Sequence, residues 1–261
     1  MKKPIDFYNE FDERLLKDYL VGNKRVINAI TNLSRFIPKN SKQILDIGCG
    51  LGWSSFEFAR TFENAKVHGI DLSPVLIDIA IKLFGDKENL NFKTTDITKD
   101  LPKLKFDAIV LIDVYEHISI KKRTEFNKSV KKILKEQGRI ILACPTKYHQ
   151  NFLRNNKPEG LQPIDEDIDF NVISSLADDL SGEVIYFEYQ SIWRTNDYLH
   201  AVVELDTKYS EDLRLYKNEL KVEVEPKKKR VKRVEDKLSY TIDINKNKGS
   251  FLKKIKRKFR A

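Results

Sequence analysis

Three alternate glycines stand in Ile44-Leu45-Asp46-Ile47-Gly48-Cys49-Gly50-Leu51-Gly52-Trp53, after an apolar run that ends in an acid. Glycine permits tight turning and lets a ligand lie against the backbone, and a helix starting behind such a loop offers free N–H groups. A dinucleotide-binding fingerprint would need a third glycine where Trp53 stands, and a phosphate loop would need a lysine after Gly52. Carboxylates recur after later apolar runs: Asp71, 25 residues beyond Asp46, then Asp96 in Thr95-Asp96-Ile97, then Asp113. Four histidines, His68, His117, His149 and His200, are the side chains able to exchange protons near neutral pH. The two cysteines, Cys49 and Cys144, are too few for a disulfide scaffold and fit a reducing compartment.

The elements that must position these residues follow from periodicity. Residues 6–36 predict helix, broken at Gly22-Asn23, with Phe7, Phe11, Leu15 and Leu16 on one face and Val26, Ile27, Ile30, Leu33 and Ile37 on the next. Short apolar runs at 43–47, 66–70, 90–94, 106–112 and 139–143 predict strands, separated by helical patterns at 53–62, 74–84 and 122–134. That alternation specifies a parallel sheet with helices on both faces. Ligands of such sheets bind at the carboxyl ends of the strands, where Asp46, Asp71, Asp96 and Asp113 all fall. Residues 145–170 are polar and turn-rich, with no clean period, and predict an irregular segment over that edge. A helix over 171–180, an antiparallel pair of strands at 183–190 and 198–205, and a helix to about 220 complete the pattern.

The D-x-G-x-G-x-G loop, the strand-end acids and the segment Asp113-Val114-Tyr115-Glu116-His117 together resemble class I S-adenosylmethionine-dependent methyltransferases across roughly residues 40–205. The resemblance implies a Rossmann-like α/β fold with a seven-stranded, mostly parallel sheet of order 3-2-1-4-5-7-6. It implies a helical cap over 1–40, a catalytic domain over 41–205 with 145–170 as substrate lid, and a C-terminal helix and basic tail over 206–261. S-adenosyl-L-methionine would lie on Asp46, Gly48, Cys49, Gly50 and Gly52. Asp71 would take its ribose hydroxyls, Leu72 and Ile97 would pack on the adenine, Asp96 would accept from the adenine amino group, and Asp113 would close the pocket. From the cap, Tyr8 and Arg25 would touch the sulfonium and the carboxylate, with packing and surface charge as their alternative roles. A hydroxyl acceptor benefits from a general base; His117 is favoured over His149, against an orienting role for the first and lid packing for the second. His68 and His200, inside strands, read as structural. The acids Asp165-Glu166-Asp167 would bind substrate hydroxyls or cap the next helix. No metal-ligand set is assigned.

Amino methylation of DNA loses support because no Asn/Asp-Pro-Pro-aromatic motif follows the fourth strand, and cytosine C5 chemistry because no Pro-Cys pair stands there. The expected reaction is O-methylation, with N-methylation second, of a small-molecule, sugar or lipid-linked glycan acceptor. The glycan reading rests on a likeness of 149–166 to methyltransferases of bacterial surface-glycan synthesis. An RNA methyltransferase with the tail on phosphates and a non-catalytic cofactor-binding scaffold are the alternatives.

The formal net charge of +9 invites an anionic partner. Residues 226–261 hold 11 lysines and 4 arginines against three acids, a net of +12, so the other 225 residues carry −3. Nucleic acid is therefore disfavoured as partner of the body. Phe251, Leu252, Ile255 and Phe259 fall on one face of a basic segment, the composition of a helix lying on an anionic membrane surface, so 250–261 is expected to make that contact. The run 226–231 also resembles a nuclear import signal. With acids in place of an apolar leader at the N-terminus and no membrane-spanning run, a cytoplasmic location is expected, peripheral on the inner membrane face.

Overall fold

Apolar residues alternate along the strands and bury both faces of the sheet. The computed structural model describes residues 12–100, 102–209, 211 and 217–238. Seven strands, β1 (Gln43–Ile47), β2 (Lys66–Asp71), β3 (Leu90–Thr94), β4 (Phe106–Ile112), β5 (Leu134–Pro145), β6 (Gly182–Gln190) and β7 (Tyr198–Leu205), form one sheet in the order β3-β2-β1-β4-β5-β7-β6. The pairs from β3 to β5 are parallel, while β7 runs antiparallel to both β5 and β6. Ile44, Ala108, Val110, Ile141 and Ala143 enter one core. Their neighbours Leu45, Ile109, Leu111, Ile140 and Leu142 enter the other. This period of two with both faces covered is why β4 reads as a continuous apolar run.

The first core receives α1 (Asp12–Val21), α2 (Lys24–Leu33), α3 (Trp53–Thr61) and α4 (Pro74–Phe84); the second receives α5 (Ile120–Ile133), and, beyond α6 (Lys147–Asn156), α7 (Phe170–Leu180). Gly22, at φ 87, ends α1, and Asn23 caps α2 by accepting from the Arg25 N–H. Pro74 opens α4 behind the Ser73 cap.

Three expectations change. The segment 145–170 is not irregular throughout: Thr146 caps α6, which buries little more than Gln150 and so shows no apolar stripe. β5 begins at Leu134, ahead of the expected Arg139, across an irregularity between Phe106 and Ala108 in its pairing with β4. The helix expected to run from Leu205 to about 220 is absent among the described residues. A helix, α8 (Lys227–Leu238), stands instead inside the basic segment, with Arg230, Val231 and Val234 buried against the first core. Arg230 and Val231 belong to the string that resembles an import signal, so that string is not freely displayed. Tyr8 and the segment 250–261 lie outside the described residues. Among the described residues no helix is long and apolar enough to cross a membrane.

Candidate active site

Asp46 ends β1 with its carboxylate 1% exposed, accepting from the Ser54 and Ser55 hydroxyls at 2.6 Å each. Burial pushes its carboxyl up to about 6, against those two donors. Asp46 therefore ties the end of β1 to the first turn of α3 and fixes the loop between them. Within that loop Gly48, Gly50 and Gly52 all have positive φ, a region that penalises other residues. A Cβ on Gly48 would collide with Val114, and one on Gly52 would meet Phe92 at 2.6 Å. On Gly50, among the described residues, it would meet only Leu15 of α1, at 3.1 Å.

The loop's polar groups turn inward. Gly48 and Cys49 donate to the Ile70 carbonyl, Gly50 to Asp71 Oδ2 at 2.9 Å, and Gly52 to the Cys49 carbonyl. Four N–H groups that a phosphate cradle would aim outward are thus occupied, and the loop suits a nucleoside without phosphates. Asp71 also accepts from the Ser73 N–H at 2.9 Å. With Leu72 as a further backbone donor, the carboxylate still keeps lone-pair capacity for hydroxyls. Burial raises the Asp71 carboxyl, with those N–H donors opposing. Asp96 accepts from the N–H and hydroxyl of Thr98 and pairs with Lys99 at 2.7 Å. Burial of Asp96 is outweighed by these donors, which hold its carboxyl below the usual range. Ile97 is buried and Leu72 half-buried at the same edge. Cys49 is buried, and its thiol is held protonated by burial and by Asp71 and Asp46.

Asp113 follows β4 at φ 55, its N–H donating to the Ala143 carbonyl. One carboxylate oxygen pairs with Arg25 Nε at 3.0 Å; the other is buried and has no hydrogen-bond partner among the described residues. Arg25 also donates from Nη1 to the Tyr198 hydroxyl at 3.1 Å. Burial works against the Arg25 charge, but Asp113 and Tyr198 stabilise it. The Tyr198 ring lies 5.9 Å from the His149 ring and 6.0 Å from Trp193. Arg25, Asp113, Tyr198 and His149 thus form one continuous cluster, built from α2, the exit of β4, the start of β7 and α6. Burial lowers the His149 imidazole, with Asp197 opposing and Arg194 and Arg25 adding, so the ring is neutral at pH 7.

His117 is placed differently. Its Nδ1 faces the Ile164 carbonyl at 2.7 Å and Asp165 Oδ1 at 3.1 Å, and its Nε2 lies 3.7 Å from Glu116. Burial would lower this imidazole, but Glu116, Asp165 and the Ile164 carbonyl push it up to about 9. Burial likewise pushes Glu116 up to about 7, with His117 opposing and Asp113 adding. A protonated, doubly engaged ring suits a tether better than a base. The acid run divides its work: Asp165 holds His117, Glu166 accepts from the Ile120 N–H, and Asp167 pairs with Arg154. The cap of α7 is Asp169, outside that run. His68 bonds Gln43, and His200 is fully buried and pushed down to about 4 by burial, so both are structural. Among the described residues no cluster of three ligating side chains could hold a metal.

Sequence reasoning missed Tyr198, Ser54 and Ser55. The serines carry a signal, lying eight and nine residues after Asp46 on the helix that follows the loop. Tyr198 carries none until the antiparallel register sets it opposite Pro145.

A family model described as a methyltransferase domain matches residues 44–138. Malonyl-[acyl-carrier protein] O-methyltransferase of Halalkalibacterium halodurans is 28% identical over 207 residues, covering 73% of this chain and 75% of that protein. Malonyl-[acyl-carrier protein] O-methyltransferase 1 of Ilyobacter polytropus is 37% identical over 79 residues, 30% of each chain. The chain thus spans three-quarters of the first relative and under a third of the second. The N-methyltransferase NodS of Bradyrhizobium japonicum, solved with S-adenosyl-L-homocysteine, superposes with a TM-score of 0.57 at 16% identity, over 74% of this chain and 98% of that one. Human N-acetylserotonin methyltransferase, solved with the methyl donor, gives 0.58 at 17% identity over 77% and 56%. At those identities the likeness to the solved structures is one of fold.

Proposed function

We propose that this chain is a class I S-adenosylmethionine-dependent methyltransferase that methylates an oxygen of a small-molecule or glycan-like acceptor, with His149 as the general base. The observation that carries the reading is the clustering of the His149 ring with Tyr198, Arg25 and Asp113 at the carboxyl edge of the sheet. When bound, S-adenosyl-L-methionine supplies a methyl group already activated on a sulfonium.

The residues present fit that cofactor. The open side of Gly50 admits it to the loop, and Asp71 accepts from its two ribose hydroxyls. Leu72 and Ile97 cover the base, with Asp96 accepting at its amino group. The second oxygen of Asp113 takes a donor, and Arg25 is placed to meet a carboxylate. Asp46 and the backbone of Cys49 shape the loop without needing contact. The remaining task is to hold the acceptor in line and keep water out. His149 would take the proton of the acceptor hydroxyl; the cofactor, when bound, would supply the methyl group with cleavage of its S–CH3 bond and would leave as S-adenosyl-L-homocysteine. With His149 on α6, the 145–170 segment would lie over the acceptor, held to the exit of β4 by His117, Asp165 and Glu116.

Methylation of an acyl carboxylate is the second reading, favoured by the 28% identity to the malonyl-[acyl-carrier protein] enzyme. A carboxylate acceptor carries no proton at neutral pH and needs no base. Transfer of labelled methyl to a panel of hydroxylated glycans, phenols, amines and acyl carboxylates separates these. An alkali-stable labelled product that disappears with His149→Ala is expected; an alkali-labile methyl ester, formed as fast by His149→Ala, contradicts the leading reading. Transfer to RNA that nuclease abolishes would favour the nucleic-acid alternative.

A further inference from the structure

Arg230 sits in an unusual setting. It is 4% exposed, yet among the described residues its Nε and Nη1 have no hydrogen-bond partner. Its guanidinium carbon lies 5.0 Å from the Trp53 ring centroid and 5.8 Å from that of Tyr19. Its Nη2 lies 2.8 Å from where a Cβ on Gly22 would stand. A guanidinium, weakly hydrated and flat, is the cation best suited to lie among aromatic faces, and such contacts strengthen when water is excluded.

The three groups around Arg230 belong to the elements that build the cofactor pocket. Trp53 is the first residue of α3, next to Gly52, and buries its ring against Tyr19 at 5.4 Å, edge to face. Tyr19 is on α1, whose Leu15 lies over Gly50. Gly22 is the turn that starts α2, and three residues on Arg25 reaches Asp113 and Tyr198. Around this wedge the segment before α8 is also fastened. Arg233 pairs with Glu225 at 2.8 Å and lies over Phe56 and Phe84, Tyr19 donates to Glu225, and the Glu225 N–H donates to Glu57 at 2.7 Å. Lys237 reaches Asp86 of the α4 exit at 2.8 Å.

We infer that Arg230 is a positioning residue for cofactor binding: wedged between Trp53, Tyr19 and the Gly22 turn, it holds the α1–α2 cap against the glycine loop, so that α8 completes the pocket from outside the matched domain. The inference rests on the cofactor site described above. Without the wedge, α1 and α2 keep their own helical sequence and apolar faces, but the placement of Leu15 and Arg25 over the loop loosens.

The test uses the full chain, with S-adenosyl-L-homocysteine titrated by calorimetry and thermal stability measured in parallel. Arg230→Met keeps length and apolar contact without charge, Arg230→Lys keeps the charge, and Val234→Ala weakens the same helix without touching the wedge. The expected result is at least a tenfold rise in Kd for Arg230→Met, a smaller rise for Arg230→Lys, and a Kd within twofold of wild type for Val234→Ala at a lower Tm. Wild-type affinity in Arg230→Met overturns the inference and leaves the cofactor site standing. Equal weakening by Val234→Ala also overturns it, since general loosening of α8 would then explain the effect. A wild-type chain that does not bind at all would remove both.

Discussion

Single residues decide what this pocket accepts. Asp71 can serve two hydroxyls because its own position is fixed by the Gly50 and Ser73 N–H groups. Hydrogen bonds to a charged group contribute about 1.5–3 kcal/mol each. Asp71→Asn keeps the shape and loses that charge, so its Kd for S-adenosyl-L-homocysteine should rise at least tenfold. Gly48→Ala meets both an unfavourable φ and the Val114 side chain. It should cost more than the roughly 1–2 kcal/mol of the backbone term alone, read as a lowered midpoint in urea. His149→Ala should lower kcat about 10²–10⁴-fold, the range for losing a general acid or base, with cofactor affinity unchanged. Because burial holds the His149 pKa below its ordinary value, kcat should already be on its plateau by neutral pH and fall on the acid side. The strand-end acids and the glycines were legible in the sequence, since each stands beside its strand in the chain. The protonation of His117 was not, because its partners Ile164 and Asp165 arrive from a segment 47 residues away.

At the scale of elements, the stretch between β5 and α7 is held by few strong contacts. His117 is raised in the folded chain relative to its unfolded value, so the proton-linked stability it gives is full below about 6.5 and is lost as pH rises through about 9. The groups facing it are Glu116, Asp165 and the Ile164 carbonyl, with Asp113 and Glu166 nearby. Limited proteolysis around Lys157 should therefore quicken between pH 7 and pH 9.5, and His117→Gln should be cut quickly throughout that range; equal cutting of wild type at both pH values would refute the tether. Periodicity located every strand, most plainly β1 and β4, which are apolar and buried on both faces. It failed for α6, whose one-sided, shallow burial leaves almost no apolar stripe, and for α8, whose lysines hide a buried arginine and two valines. A helix that packs by a guanidinium over aromatic rings has no signature in hydropathy.

For the whole molecule, the division of charge takes on a different meaning. The excess of +12 begins at Pro226, but its first dozen residues fold back on the acidic body as α8, with Arg233 on Glu225 and Lys237 on Asp86. Arg230 and Arg233 of the basic segment are thus internal support, while Lys227, Lys228, Lys229 and Lys232 of the same helix stay exposed. Two of the strand-end acids are paired with cations, Asp113 with Arg25 and Asp96 with Lys99. All seven strands, the glycine loop and the cap converge on one claim: the carboxyl edge of the sheet binds S-adenosyl-L-methionine through Asp71 and the open face of Gly50. Calorimetric titration of the full chain with S-adenosyl-L-methionine, alongside Asp71→Asn, tests it most directly. One-to-one binding by wild type, weakened at least tenfold by Asp71→Asn, is the predicted result; no binding by wild type, or equal binding by the variant, would contradict it.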